Sequence, residues 1–281
     1  MPELRIGSER RLHWQSRGEG FPLLLLHGFT GSSEAWDEEL VGTLARHFHV
    51  LCVDLPGHGR SDPSHDPRRY EIGGVVEELG LLLSTCGFRR ALWLGYSMGG
   101  RIALAAGVLQ PQRVSALVLE SASPGLEHTS ERAARIESDE ALASRLERDG
   151  IEAFVSYWME LPLFHSQRRL SAQRRERERR QRLSNDPRAL AACLRGLGTG
   201  RQPSFWNALV RLAVPVQLVV GEDDTKFRAI ARRMAQRFPR AERTRIPSSG
   251  HAPHLESPEA WLESVVPFCE RCIEKERSAQ S

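Results

Sequence analysis

The chain has 281 residues, 40% of them hydrophobic and 27% charged, with 39 Lys+Arg against 36 Asp+Glu for a formal net charge of +3. That is enough apolar material for a full core and too small a net charge for a polyanion-binding protein. Residues 1–15 hold no apolar leader segment and the longest apolar run, residues 22–26, falls far short of a membrane span, so the expectation is a cytoplasmic protein that engages neither membrane nor nucleic acid.

The first strand candidate, residues 22–27, ends in Leu26-His27-Gly28-Phe29-Thr30-Gly31. A tight glycine turn at the carboxyl end of a parallel strand stands where open α/β sheets bind ligands, which makes the Phe29 amide a candidate oxyanion donor. The second, residues 49–54, enters Asp54-Leu55-Pro56-Gly57-His58-Gly59-Arg60-Ser61, a Pro/Gly loop read as structural, with His58 as a packing or capping residue. The third, residues 91–96, leads into Gly95-Tyr96-Ser97-Met98-Gly99, after which Ile102, Ala103, Leu104 and Ala106 recur at helical spacing. Strand, sharp turn and helix is the setting of the G-x-S-x-G nucleophile elbow. There the glycines leave room for the turn, Ser97 stands clear of the sheet and the Met98 amide faces a developing oxyanion.

After a fourth strand candidate, residues 115–119, comes a long arginine-rich stretch, residues 125–206, with helical periodicity and no strand signal. It is too long for a loop and reads as a helical cap inserted into a core domain made of residues 1–124 and 207–281. Strand candidates at 216–221 and 244–246 complete an alternation that predicts an α/β fold with a mostly parallel, doubly wound sheet. The first of these runs into Glu222-Asp223-Asp224, and the second is followed by Ser249-Gly250-His251. The order Ser97, acid, His251 matches nucleophile, acid and base in α/β-hydrolases. His251 can take the Ser97 proton, and an acid can fix the imidazole tautomer. Asp224 is the candidate acid, with Glu222 and Asp223 as rivals. His254 has no third ligand nearby to complete a metal site, and Cys52, Cys86, Cys193, Cys269 and Cys272 are scattered like reduced thiols. No metal or cofactor is expected.

Together the elbow, the H-G-F turn, the D-x-P-G-x-G-x-S loop and the acid and histidine positions resemble the α/β-hydrolase superfamily over nearly the whole chain. Within it, three stretches are similar to the 2-succinyl-6-hydroxy-2,4-cyclohexadiene-1-carboxylate synthases of menaquinone biosynthesis. They are Gly95-Tyr96-Ser97-Met98-Gly99-Gly100-Arg101; Gln181-Arg182-Leu183-Ser184-Asn185 running on to Arg195-Gly196-Leu197-Gly198-Thr199-Gly200-Arg201-Gln202-Pro203-Ser204; and Gly221-Glu222-Asp223-Asp224-Thr225-Lys226-Phe227. Tyr157-Trp158 and Leu161-Pro162-Leu163-Phe164 also match that family's cap.

The resemblance implies a lyase that expels pyruvate from 2-succinyl-5-enolpyruvyl-6-hydroxy-3-cyclohexene-1-carboxylate, with Ser97 as base, no cofactor, and a monomer or weak homo-oligomer as the working form. It implies that Arg101, Arg135 and Arg182 hold the carboxylates of this small polycarboxylate, and that Tyr96, Trp158 and Phe164 line the pocket. Arginine suits the task, being always charged and able to grip a carboxylate with two parallel hydrogen bonds. The residues themselves leave alternatives open. Arg101 could be a helix-surface residue, Arg135 a partner of the acids around it, Arg182 the end of a solvated run, and Trp158 and Phe164 cap core. The same serine, acid and histidine would also serve a hydrolase acting on an ester or carbon–carbon bond of a small carboxylated substrate.

Overall fold

The computed structural model describes residues 3–6 and 10–280. One sheet contains eight strands: β1 (Glu3–Ile6), β2 (Arg10–Arg17), β3 (Pro22–Leu26), β4 (His49–Val53), β5 (Ala91–Tyr96), β6 (Val114–Glu120), β7 (Val216–Gly221) and β8 (Ala241–Ile246), in the order β1-β2-β4-β3-β5-β6-β7-β8. From β4 onward every neighbouring pair is parallel, while β1 and β2 add on antiparallel. All six expected strands are present, within a few residues of their expected ends. β1 and β2 were not expected. β2, Arg10-Arg11-Leu12-His13-Trp14-Gln15-Ser16-Arg17, is too polar to read as the apolar run of a strand buried on both faces. β8 starts three residues earlier than expected because Glu242 and Arg243 are exposed at the sheet's open edge.

The parallel strands are apolar throughout because alternate residues feed two cores. Leu24, Leu26, Trp93, Leu117 and Leu218 face α2 (Ile72–Thr85), α3 (Met98–Leu109) and α7 (Thr225–Ala235). Leu23, Leu25, Leu92, Leu94 and Val118 face α1 (Glu38–Leu44) and α9 (Pro258–Gln280). Residues 125–206 contain α4 (Thr129–Met159), α5 (Ala172–Leu183) and α6 (Pro187–Leu197) and no strand. Gly150, at φ 78°, breaks α4. These helices share a small core of their own, with Leu146, Phe154, Leu190 and Leu194 at its centre and Phe29 and Trp158 packed against it. Phe29 thus joins the loop after β3 to the helical segment, its ring 5.4 Å from that of Trp158.

Candidate active site

The sharp turn after β5 is set by what its glycines exclude. A Cβ on Gly95 would overlap the backbone of Gly99 and Gly100, and one on Gly99 would overlap the carbonyls of Leu26 and His27. The turn is closed by Ser97 at φ 52°, ψ −105°, a conformation costly for a residue with a side chain. The other non-glycine residues at positive φ among those described, Thr30, Ser121 and Ser248, lie just past β3, β6 and β8. Backbone strain therefore collects along the carboxyl edge of the sheet, where a doubly wound fold places its ligand.

At that edge a short loop carries His251 to α8 (Pro253–Glu256), and its imidazole joins two strand ends. Nε2 lies 3.1 Å from Ser97 Oγ and Nδ1 lies 2.7 Å from Asp224 Oδ2. The Phe227 amide donates to Asp224 Oδ1 at 3.0 Å, so the carboxylate caps α7 while it holds the histidine. The rival acids are elsewhere. Asp223 is exposed and pairs with Arg169, and Glu222 reaches Arg245. Phe227, Tyr96 and Phe164 pack round the His251 ring at centroid distances of 4.6, 5.4 and 6.1 Å. Burial, reinforced by Glu120, pushes the Tyr96 phenol well above its ordinary value, so it stays protonated.

Ser97 and His251 open on a cavity that Phe29, Met98, Trp158 and Phe164 also line, along with Arg101, Arg135 and Arg182. Each arginine spends one side of its guanidinium on the protein. Arg101 Nη1 donates to the Leu197 carbonyl and to Gln202 Oε1. Arg182 Nη1 donates to Glu178 Oε2 at 2.8 Å and to the Glu178 carbonyl. Arg135 Nε donates to Asp139 Oδ1 at 2.8 Å. Among the described residues, the Nε/Nη2 edges of Arg101 and Arg182 and the Nη edge of Arg135 have no protein acceptor, and Arg182 Nε is fully buried. Burial, together with the nearby Arg135 charge, lowers the Arg101 pKa to about 10, which still leaves it charged at neutral pH. The surface role weighed for Arg101 does not hold, because its side chain is buried. The pairing with nearby acids weighed for Arg135 does occur, and it leaves one edge of the side chain over.

The sequence reading missed several cavity residues. Lys226 lines the wall from within the Gly221–Phe227 stretch already singled out, and Glu178, Gln181 and His254 line it as well. His254 Nδ1 lies 2.7 Å from Glu120 Oε1, while Trp261 Nε1 donates to Oε2 of the same fully buried carboxylate. A buried strand that ends in glutamate was the available signal for this pair. No group of three His, Cys, Asp or Glu among the described residues could hold a metal, and all five cysteines are free.

A serine at a glycine elbow, hydrogen-bonded to a histidine and through it to an acid after the next-to-last strand, is the arrangement of an α/β-hydrolase. The family described as the alpha/beta hydrolase fold matches residues 22–258. A Bacillus subtilis (strain 168) protein bearing the provisional name 2-succinyl-6-hydroxy-2,4-cyclohexadiene-1-carboxylate synthase is 41% identical over 88% of this chain and 89% of its own length. The synthase of that name from Enterobacter sp. (strain 638) is 36% identical over 86% and 89%. Among solved structures, MenH from S. aureus superposes with a TM-score of 0.88 at 33% identity, covering 93% of this chain and 98% of the other. The chain is an α/β-hydrolase-family enzyme and belongs, within that family, to the 2-succinyl-6-hydroxy-2,4-cyclohexadiene-1-carboxylate synthases.

Proposed function

We propose that this enzyme is a carbon–oxygen lyase that forms 2-succinyl-6-hydroxy-2,4-cyclohexadiene-1-carboxylate by eliminating pyruvate from 2-succinyl-5-enolpyruvyl-6-hydroxy-3-cyclohexene-1-carboxylate, with residues 125–206 as a cap over the site. The observation that carries this reading is the convergence of three arginines, each with one edge unspent, on the cavity that holds Ser97 and His251. The substrate bears three carboxylates, and three preoriented guanidinium edges suit them.

Turning the cyclohexene into the 2,4-diene removes a proton from the ring carbon that bears the succinyl ketone and breaks the ring's bond to the enolpyruvyl oxygen. Ser97 Oγ is the base, and it passes its own proton to His251 Nε2 as it takes the one from carbon. Asp224, on Nδ1, holds the imidazole in the tautomer with a free Nε2 and stabilises the imidazolium that follows. The electron pair left on carbon delocalises on to the ketone oxygen, and the amides of Phe29 and Met98, which donate to no protein acceptor among the described residues, are the donors for that oxyanion. Collapse of the enolate through the ring double bond expels the enolpyruvyl oxygen. His251 returns a proton to the departing enolate, pyruvate leaves and Ser97 is restored.

The test is turnover of the enolpyruvyl substrate in oxygen-18 water, followed by mass spectrometry of products and protein. Pyruvate and the diene should form in equal amounts, with no adduct on Ser97 and no label in a newly made carboxylate. An acyl adduct on Ser97 or a labelled carboxylate would replace the elimination with hydrolysis.

A further inference from the structure

The helical segment that supplies Arg182 also grips the loop that supplies the Phe29 amide. Asn185 lies two residues past the end of α5 and is buried. Its Nδ2 donates to the Thr30 carbonyl at 2.9 Å and its Oδ1 accepts from the Gly59 amide at 3.0 Å, while Nδ2 also approaches the Arg182 carbonyl at 3.1 Å. One helical turn earlier, Gln181 bonds to Ser32 at 2.9 Å.

A planar trans peptide ties the direction of each N–H to that of the preceding carbonyl. The Thr30 carbonyl held by Asn185 belongs to the same peptide unit as the Gly31 amide, which donates to the Gly28 carbonyl at 3.0 Å. The Gly28 carbonyl in turn belongs to the same peptide unit as the Phe29 amide, and His27 Nδ1 holds it from the other side at 2.8 Å. Two peptide units thus connect the Asn185 side chain to the Phe29 N–H. Thr30 lies between them at φ 67°, which a β-branched residue keeps only when its surroundings hold it there.

We infer that Asn185 is a positioning residue for the oxyanion donor. By holding the Thr30 carbonyl it aims the Phe29 N–H into the site, so the segment that binds a substrate carboxylate through Arg182 also sets the geometry that stabilises the enolate. This rests on the reading of Phe29 as an oxyanion donor given above.

Asn185→Asp separates the two bonds, since a carboxylate still accepts from the Gly59 amide but repels the Thr30 carbonyl. Asn185→Ala removes both and serves where the buried charge prevents folding. Two rates are compared with wild type in each folded variant. One is turnover of the enolpyruvyl substrate, and the other is phosphonylation of Ser97 by an alkyl fluorophosphonate, in which Ser97 Oγ bonds to phosphorus, its proton passes to His251 and fluoride leaves. The phosphonyl oxygen uses the same amides without needing the carboxylate grip, so this probe responds to the oxyanion site and the Ser97–His251 pair but not to the grip on substrate. Both rates should fall about ten- to a hundredfold, somewhat less than the loss of a whole donor, with KM within about threefold of wild type. Unchanged rates in folded protein would overturn the inference, as would a rise in KM with kcat intact, which would assign Asn185 to the grip on substrate. A wild type that releases no pyruvate would remove the lyase reading, leaving the phosphonylation comparison to decide this one.

Discussion

Ser97 Oγ and His251 Nε2 lie 3.1 Å apart, and in the proposed elimination one proton passes between them, so their contributions to turnover should not be separate. Ser97→Ala and His251→Ala should each lower kcat by several orders of magnitude, and the double variant should be little worse than either single one. Asp224→Asn keeps the shape but offers the imidazole the wrong tautomer, for an expected loss of about 10³- to 10⁴-fold, whereas Asp223→Asn removes only an exposed pair with Arg169 and should be mild. Steady-state kinetics on the five variants decides this, and equal losses at 223 and 224 would displace the acid. Arg101→Ala and Arg182→Ala should each cost about 2–5 kcal/mol in kcat/KM, as expected for unpairing a desolvated charge, with lysine restoring only part. Arg175, exposed, and Arg179, half-buried, lie on the same helix as Arg182 and are the controls. A matching loss at those positions would mean that α5 acts through diffuse charge. The choice among Glu222, Asp223 and Asp224 was visible in the sequence only as a spacing, because which acid turns inward depends on Asp224 being the N-cap of α7.

At the scale of elements, the apolar parallel strands and the elbow were legible because a strand covered on both faces has nearly one composition and a G-x-S-x-G turn nearly one conformation. β1 and β2 were not, since an antiparallel strand added to the edge keeps a polar side and its pattern merges with that of a loop. Nor was the partner of Glu120, since its pair with His254 joins β6 to α8 across 134 residues and only the glutamate at the end of a buried strand leaves a local trace. The elbow makes a prediction at this scale. In Gly99→Ala the new methyl would meet the carbonyls of Leu26 and His27, which belong to β3 and the turn after it and cannot move aside alone. The cost should be about 1–3 kcal/mol of stability from overpacking, seen as a lower thermal midpoint, with a larger loss of kcat because Ser97 and the Phe29 loop are displaced together. An unchanged midpoint would mean that the turn is looser than its contacts indicate.

For the molecule as a whole, acid sensitivity should arise under the Phe29 loop. Burial, and then the neighbouring His27, lower the His58 pKa to about 3 from an ordinary 6.5. Between those values the unfolded chain binds the extra proton, so this contribution to stability is complete above about pH 6.5 and drains away as pH falls toward 3, a loss on the order of 5 kcal/mol. Burial lowers the His27 pKa as well and adds to the same slope. Asp54 adds to the acid side at lower pH: burial raises its carboxyl, but hydrogen bonds from the Ser33 and Arg60 amides outweigh this and hold it below the ordinary carboxylate value. His58→Gln should therefore flatten the fall of the thermal midpoint between about pH 7 and 4 relative to wild type. A constant offset between the two proteins at every pH would take His58 out of the account. The sequence identified His58 as a packing residue, and only the fold, which sets its ring 5.1 Å from that of His27, turns it into a titration.

The polar character that hid the start of β8 has a consequence for behaviour in a crowded solution. A sheet ending in a bare strand offers its unpaired amides and carbonyls as a template on which another chain can add. Here that strand carries Glu242, Arg243 and Arg245 on its exposed positions, with Glu242 tied back to Arg271. An incoming strand would have to strip water from three charges before gaining its first hydrogen bond. The edge is thereby guarded against runaway assembly, in part by Glu242 and Arg243, the residues that hid the start of the strand.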